Sequence, residues 1–330
     1  MNNFFKTIVG FTLALLVVSC SKDEDKTEPL RDYAEQYTKD IEIIEEFLQT
    51  HYVDVINNPG AVNDQEVTFT KIPEGGTQTP IWDSPDLVTN YTVDLHDITY
   101  KVYYLKLRGH VDRSVSSPED IAKAPCNVDR VLAAYVGQYI FVDSETVDGQ
   151  TTESLEFNEF ERNLNPQSFL ALSSTIRGWS EIFPRFKAGT YVGNSDGTIS
   201  YSDFGAGIMF LPSGLGYYNN VAGSIPSYSN LIFTFKLYEI QRVDNDGDGI
   251  FSYQEDINND GYVKALGEGI DNIDDTDGDG APDFLDIDDD GDFFLTKVEI
   301  KNPLTGIAYP YNDIPLCSDG KKKHLTADCH

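Results

Sequence analysis

Apolar side chains recur at Tyr33, Tyr37, Ile41, Ile44, Phe47 and Leu48, in steps of three and four that align them along one stripe of a helix. An amphipathic helix is therefore expected over residues 32–52, with a stripe that must pack on something downstream. Across residues 53–93, Pro, Gly, Asn and Thr break the chain into short β-prone pieces that read as loop and hairpin. The texture then changes. Residues 99–107, 130–136, 139–142, 206–211 and 230–240 are dominated by aromatic and β-branched side chains with partial alternation, the pattern of strands. One helical stretch, near residues 179–186, interrupts them. The expected fold class is α+β, an antiparallel sheet wrapped on a short helix, and 330 residues leave room for further modules.

Ahead of this, Lys6 precedes an apolar run at residues 8–18, well short of the roughly 20 residues a membrane span needs. Such a run is a signal-peptide core. Val17, Val18 and Ser19 before Cys20 resemble the lipobox of bacterial lipoproteins, in which the cysteine is acylated; the other reading is an ordinary secretory signal with an incidental cysteine. Ser21-Lys22-Asp23-Glu24-Asp25 is similar to the acidic tag that carries Bacteroidetes lipoproteins to the outer face of the outer membrane. The expected location is the cell envelope, lipid-anchored and surface-exposed. In that oxidising setting Cys317 and Cys329, which close a short loop, are expected to pair, leaving Cys126 as a free, buried thiol. His51, His96, His110, His324 and His330 lack ligand spacing, which argues against zinc.

The formal net charge is -31, and residues 244–301 carry 19 acidic against three basic side chains. The excess is thus a local cation site more than a general acidic surface. It also excludes nucleic acid as a partner, because that affinity rests on Lys and Arg displacing counterions.

Asp244-Asn-Asp-Gly-Asp-Gly-Ile-Phe-Ser-Tyr-Gln-Glu255 has the register of an EF-hand calcium loop. Asp244, Asp246 and Asp248 stand at positions one, three and five, and Gly249 at six allows the sharp turn. The Ile250 carbonyl stands at seven, apolar Phe251 at eight, and Glu255 at twelve. A second loop opens with Asp256, Asn258 and Asp260, but Gly267 takes position twelve, so it is either degenerate or closed by a neighbour. Asp275, Asp277, Asp279, Asp283 and Asp286 resemble the tandem loops of thrombospondin type 3 repeats. Asp288, Asp290, Asp292 and Glu299 form a last loop in which Phe293 stands where glycine is preferred. Hard oxygen ligands select structural Ca2+ over zinc, copper or magnesium.

Upstream, Ala134-Tyr-Val-Gly137, Thr175-Ile-Arg-Gly-Trp179, Lys187-Ala-Gly189, Phe210-Leu-Pro-Ser-Gly-Leu-Gly-Tyr217 and Ser224-Ile-Pro226 followed by Leu231-Ile-Phe233 occur in an order that resembles the FKBP-type peptidyl-prolyl isomerases. The resemblance covers residues 91–242. It implies a proline pocket with Trp179 as floor and Tyr135, Phe157, Ile176 and Phe233 as walls. Ile225 lies in the closing loop, Tyr217 donates to the substrate backbone, and the Ile176 amide holds a second carbonyl. The family's Phe-Asp pair corresponds to Phe157-Asn158 or to Phe160-Glu161, and spacing to Trp179 favours the former. A further aromatic is expected near Gln167 or Phe169, and an insertion separates Gly189 from Ala206. No covalent chemistry is required: an apolar aromatic pocket suits the twisted amide better than the planar one, whose resonance sets a barrier of about 18 to 20 kcal/mol.

The expected organisation is a signal peptide at 1–19, a tether with helix and loops at 20–92, the FKBP-like domain at 93–242, calcium repeats at 243–300 and a disulfide-bearing tail at 301–330. The function this implies is prolyl isomerisation of exported, proline-containing polypeptides at the outer membrane. The alternative is a non-catalytic adhesion or assembly lipoprotein that uses the same fold as a scaffold.

Overall fold

The computed structural model describes residues 30–147, 150–266 and 271–329. Cys20 with its leader, and Gly267, lie outside the described residues. The compact unit begins at Asp32. There the Asp32 carboxylate caps helix α1 (Tyr33–Thr50) by accepting from the Ala34 and Glu35 amides at 2.9 and 3.1 Å. The helix ends where His51 turns extended and enters β1 (His51–Val55), which forms a hairpin with β2 (Val67–Lys71).

The main sheet is seven-stranded and antiparallel. Its members are β3 (Leu87–Leu95), β4 (Ile98–Arg108), β5 (Arg130–Val147), β6 (Gln150–Asn163), β7 (Leu170–Ala171), β10 (Gly205–Leu211) and β11 (Asn230–Gln241). Helix α2 (Pro118–Ala122) lies between β4 and β5, α3 (Arg177–Ile182) follows β7, and the hairpin β8 (Thr190–Gly193) with β9 (Ile199–Ser202) precedes β10. The spatial order is β3-β4-β10-β11-β5-β6, with β7 on β5. His96 and Asp97 join β3 to β4 with φ of 55° and 58°, the two left-handed residues of a type I′ hairpin.

Both faces of this sheet are covered, and the alternation along each strand assigns its side chains. Met209 and Leu211 of β10, with Leu231, Phe233 and Phe235 of β11, join Trp179, Ile182, Phe183 and Phe186 on one face. Ile208, Phe210 and Ile232 join Ile44, Phe47 and Leu48 of α1 on the other. Double coverage is why all seven residues of β10 are buried. Polar clamps fix α1 there: Asp40 Oδ2 accepts from Ser213 N at 2.8 Å and Ser213 Oγ at 2.6 Å, and Lys101 N donates to Tyr37 Oη at 2.8 Å.

Three features differ from the sequence reading. The boundary expected at residue 93 falls inside β3, and the apolar stripe of α1, expected to pack downstream, does so on the sheet's second face together with the β1–β2 hairpin. Residues 130–136 and 139–142 are one strand running through Gly137 and Gln138. The edge strand β6 was missed, because its exposed polar and charged side chains hide the alternation. The insertion between Gly189 and Ala206 is the β8–β9 hairpin, held to β11 by Tyr201 stacked on Tyr238 at 4.4 Å and by Tyr201 Oη donating to Glu239 at 2.7 Å.

The described residues beyond Arg242 form a loop-rich segment with one short α-helix, α4 (Thr296–Glu299), and single 3-10 turns. It docks on the sheet unit through Cys126, Val128, Val263 and Phe284. Asn127 pairs both ways with Val263, Nδ2 to the carbonyl and Oδ1 from the amide, each at 2.9 Å. Cys317 is disulfide-bonded to Cys329, while Cys126 is free and buried, its thiol pushed up to about 12 by that burial. Among the described residues no helix is long and apolar enough to cross a membrane.

Candidate functional site

Two constellations carry chemistry. The first is aromatic and lies between α3 and the sheet. Gly178 lets α3 approach β10, since a Cβ there would lie 2.4 Å from Leu211 Cδ1. The next residue, Trp179, thereby meets Tyr135 at 4.9 Å and 84° and Phe233 at 5.3 Å and 87°, both edge to face. Ile225 is buried in the same cluster, and half-buried Ile176, Tyr217 and Phe160 pack against it. Tyr135 Oη donates to Glu161 Oε1 at 2.8 Å. Burial raises the pKa of the Tyr217 hydroxyl above its ordinary value, and the nearby Glu161 carboxylate adds to the shift. The phenol stays protonated as a donor.

Phe157 and Asn158 do not belong to this cluster. Phe157 packs on the opposite face against Phe47 at 5.8 Å and Phe69 at 5.9 Å, and Asn158 donates to Tyr139 Oη at 3.3 Å on the exposed side. Their place is taken by Phe160 and Glu161. The pairing of β5 with β6 jumps from Gly137–Glu161 to Gln138–Glu159, so Phe160 is the extra residue of a β-bulge, and a bulge re-aims a side chain. Its ring lies over Gly137, where a Cβ would come within 2.5 Å of it, and meets Phe233 at 5.6 Å and 86°. Neither Gln167, whose amide bonds back to Asn165 and Pro166, nor the exposed Phe169 is in the cluster.

The second constellation is the acidic segment. Its four loops share one backbone frame. The residue at position six is left-handed in each: Gly249 at φ 106°, Gly261 at 87°, Gly280 at 99° and Phe293 at 74°. The first carboxylate accepts from the amide of that residue, Asp244 from Gly249 at 3.2 Å, Asp256 from Gly261 at 2.6 Å, Asp275 from Gly280 at 3.1 Å and Asp288 from Phe293 at 3.0 Å. Position three accepts from position five, as in Asp246 from Asp248, Asn258 from Asp260, Asp277 from Asp279 and Asp290 from Asp292.

The first, third and fourth frames gather carboxylates at positions one, three and five. Asp244, Asp246 and Asp248 bring carboxylate oxygens within 4.8 Å of one another, as do Asp275, Asp277 and Asp279, and Asp288, Asp290 and Asp292. Carboxylate oxygens this close can share one cation between them, and the all-oxygen donor set is the kind that calcium takes. Several buried oxygens have no hydrogen-bond partner, among them Asp246 Oδ2, Asp248 Oδ2, Asp290 Oδ2 and both oxygens of Glu255 and of Glu299. Buried polar atoms are nearly always satisfied, and a hard divalent cation is the ligand that acceptor-only groups admit. Burial, reinforced by neighbouring carboxylates, pushes Glu255 up to about 10, Glu299 to about 8 and Asp248 to about 6.

The structure departs from the expected loops in detail. The apolar side chain that packs in the first loop is Ile250 at position seven, set against Ile300 and Ile314, whereas Phe251 at position eight is 47% exposed. The second loop receives Asp274, 1% exposed, which accepts from Ile257 N at 3.1 Å. Asp283 is occupied with Thr276, accepting from its amide and its hydroxyl at 2.7 Å each, and Asp286 accepts from Asp288 N at 3.0 Å. Asp289 was not foreseen: it is 1% exposed, and its carboxylate lies with those of Asp248 and Glu255. Position two is no ligand position in its own loop, so register alone gave no signal for it.

The two constellations touch through Arg177. Its guanidinium pairs with Glu181 at 2.7 Å and stands 5.2 Å over the ring of Tyr262, which follows the second loop's Gly261.

No curated protein sequence matches the chain. Residues 245–324 match the family described as BamM C-terminal. Among solved structures, a peptidyl-prolyl cis-trans isomerase from Pseudomonas syringae pv. tomato is similar at 18% identity, covering 48% of this chain and 84% of that one, with a TM-score of 0.29. FkpA from Escherichia coli is similar at 20% identity over 48% of this chain, with a TM-score of 0.30, and the match spans 53% of FkpA. The N-terminal domain of FKBP42 from Arabidopsis thaliana is similar at 12% identity over 47% of this chain and 94% of that domain, with a TM-score of 0.28.

Proposed function

We propose that the protein is an FKBP-type peptidyl-prolyl isomerase of the cell envelope, anchored through Cys20 and extended by a calcium-stapled segment. The observation that supports this most is the box formed by Trp179, Tyr135 and Phe233, with Tyr135 tied to Glu161 and Tyr217 beside it. Trp179 is the floor for a proline ring, and Phe160, Phe233 and Ile176 are walls. Tyr217 donates to the substrate backbone. An apolar box of this kind stabilises the twisted amide, which has lost resonance and part of its dipole, more than the planar one. The substrates are proline-containing segments of exported proteins.

In the acidic segment Asp244, Asp246, Asp248 and Glu255 hold one calcium ion, Asp288, Asp290, Asp292 and Glu299 another, and Asp275, Asp277 and Asp279 a third. Asp256, Asn258, Asp260 and Asp274 form a fourth, weaker set. Calcium supplies neutralising charge, and the protein supplies the preset loop frame. The match of residues 245–324 to the BamM C-terminal family supports treating this segment as a recurring unit.

The test is cis-to-trans conversion of a Phe-Pro peptide by the intact chain, with Tyr217→Phe and Glu161→Gln as variants. Catalysis that falls in folded variants supports the enzyme; a flat trace from folded wild type removes it. One observation favours the second reading, a non-catalytic adhesion or assembly scaffold. Trp179, Tyr135 and Phe233 are only 4, 9 and 2% exposed, so the box is largely filled by its own rings. Peptide binding without turnover supports that reading.

A further inference from the structure

We infer that the first loop does not complete its cation site alone: Asp289, from the fourth loop, is a ligand to the ion held by Asp248 and Glu255, so that one calcium ion ties the two ends of the acidic segment together. This deepens the calcium reading above and rests on it.

The carboxylate oxygens of Asp248, Glu255 and Asp289 lie within 4.8 Å of one another although the loops are far apart in sequence. The three residues are 1, 2 and 1% exposed. Both oxygens of Asp289, both of Glu255 and Oδ2 of Asp248 have no hydrogen-bond partner. Asp248 Oδ1 accepts from the Ile250 amide at 2.7 Å, and acceptor-only side chains whose remaining oxygens are driven together out of water need a cation to remain ionised.

Backbone geometry explains why Asp289 serves another loop. Its amide donates to Thr296 Oγ1 at 3.2 Å, just as Asn245 N donates to Ser252 Oγ at 3.2 Å and Thr276 N to Asp283 Oδ1 at 2.7 Å. Position two is thus held alike in the first, third and fourth loops, and only the fourth places a carboxylate there. That carboxylate is not part of the group made by Asp288, Asp290 and Asp292; it joins the first loop's pair. An all-carboxylate, flexible oxygen set selects calcium over magnesium or zinc.

The experiment strips the full chain of metal and adds calcium alone. Ions are counted by native mass spectrometry, and affinities are read by titration calorimetry, for wild type, Asp289→Asn, Glu255→Gln and the double variant. Loss of an outer-shell partner alone costs about 10- to 100-fold in metal affinity, so each single variant should weaken one ion by at least about tenfold. The double variant should lose no second ion, because both residues serve the same one. Hydrogen exchange gives a second reading: in Asp289→Asn, whose first loop keeps all of its own residues, peptides of the first loop should need at least about tenfold more free calcium for protection than in wild type. Unchanged count and affinity in Asp289→Asn, with unchanged protection of the first loop, overturns the inference and leaves the calcium reading standing. A wild type that binds no calcium ends both.

Discussion

Tyr135 donates its hydroxyl to Glu161 at 2.8 Å, and the two residues come from neighbouring strands. The bond fixes the Tyr135 ring edge-on to Trp179 while leaving the aromatic faces apolar. Replacing Tyr135 by Phe removes one part-buried bond to a charged acceptor, worth about 1.5 to 3 kcal/mol. It leaves Glu161 without that donor. We expect Tyr135→Phe to lower stability by an amount in that range, measured by urea unfolding, and Glu161→Gln to lower it less, because an amide oxygen still accepts. Equal losses from the two would contradict the assigned donor and acceptor.

Gly137 is where the bulge becomes legible as packing. A methyl group there would come within 2.5 Å of Phe160 and 2.9 Å of Phe233. Gly137→Ala should therefore push Phe160 off the strand and cost about 1 to 3 kcal/mol, the penalty for overpacking. Trp179 fluorescence should shift to longer wavelength as its cover loosens. An alanine variant of wild-type stability and emission would mean that the ring does not lie on Gly137.

Phe293 is left-handed at φ 74° and 94% exposed. A side chain in that conformation costs roughly 1 to 2 kcal/mol, and here almost no burial offsets it. Phe293→Gly should stabilise the protein by about 1 kcal/mol in chemical unfolding and tighten calcium binding at the fourth loop. A destabilised variant would show that the phenyl ring has a contact outweighing the strain.

His110 meets the Tyr104 hydroxyl at 3.1 Å and packs edge-on to Phe186 at 5.6 Å. Burial first, then Lys106 and Arg185, push its imidazole down to about 4. The unfolded chain takes up this proton near pH 6.5 and the folded chain does not, so the contribution to stability is complete above pH 6.5 and is lost as pH falls toward 4. His110→Gln keeps a partner for Tyr104 and cannot titrate. Its unfolding midpoint should drop less than that of wild type between pH 7.5 and pH 5 at fixed calcium. Parallel pH profiles would contradict a neutral buried imidazole.

The sequence by itself determined the elements whose side chains carry a clear period, and left the polar edge strand β6 unmarked. Stripe spacing marked α1, and Asp and Gly at fixed intervals marked the four loop frames, because helix, strand and loop register are local properties with short periods. It did not decide what those elements meet. The destination of the α1 stripe, the exchange of Phe157 for Phe160, and the arrival of Asp289 beside Glu255 depend on strand pairing, a one-residue bulge and the docking of loops distant along the chain. These are set by long-range packing, in which a single extra residue redirects a side chain and leaves no local period to read.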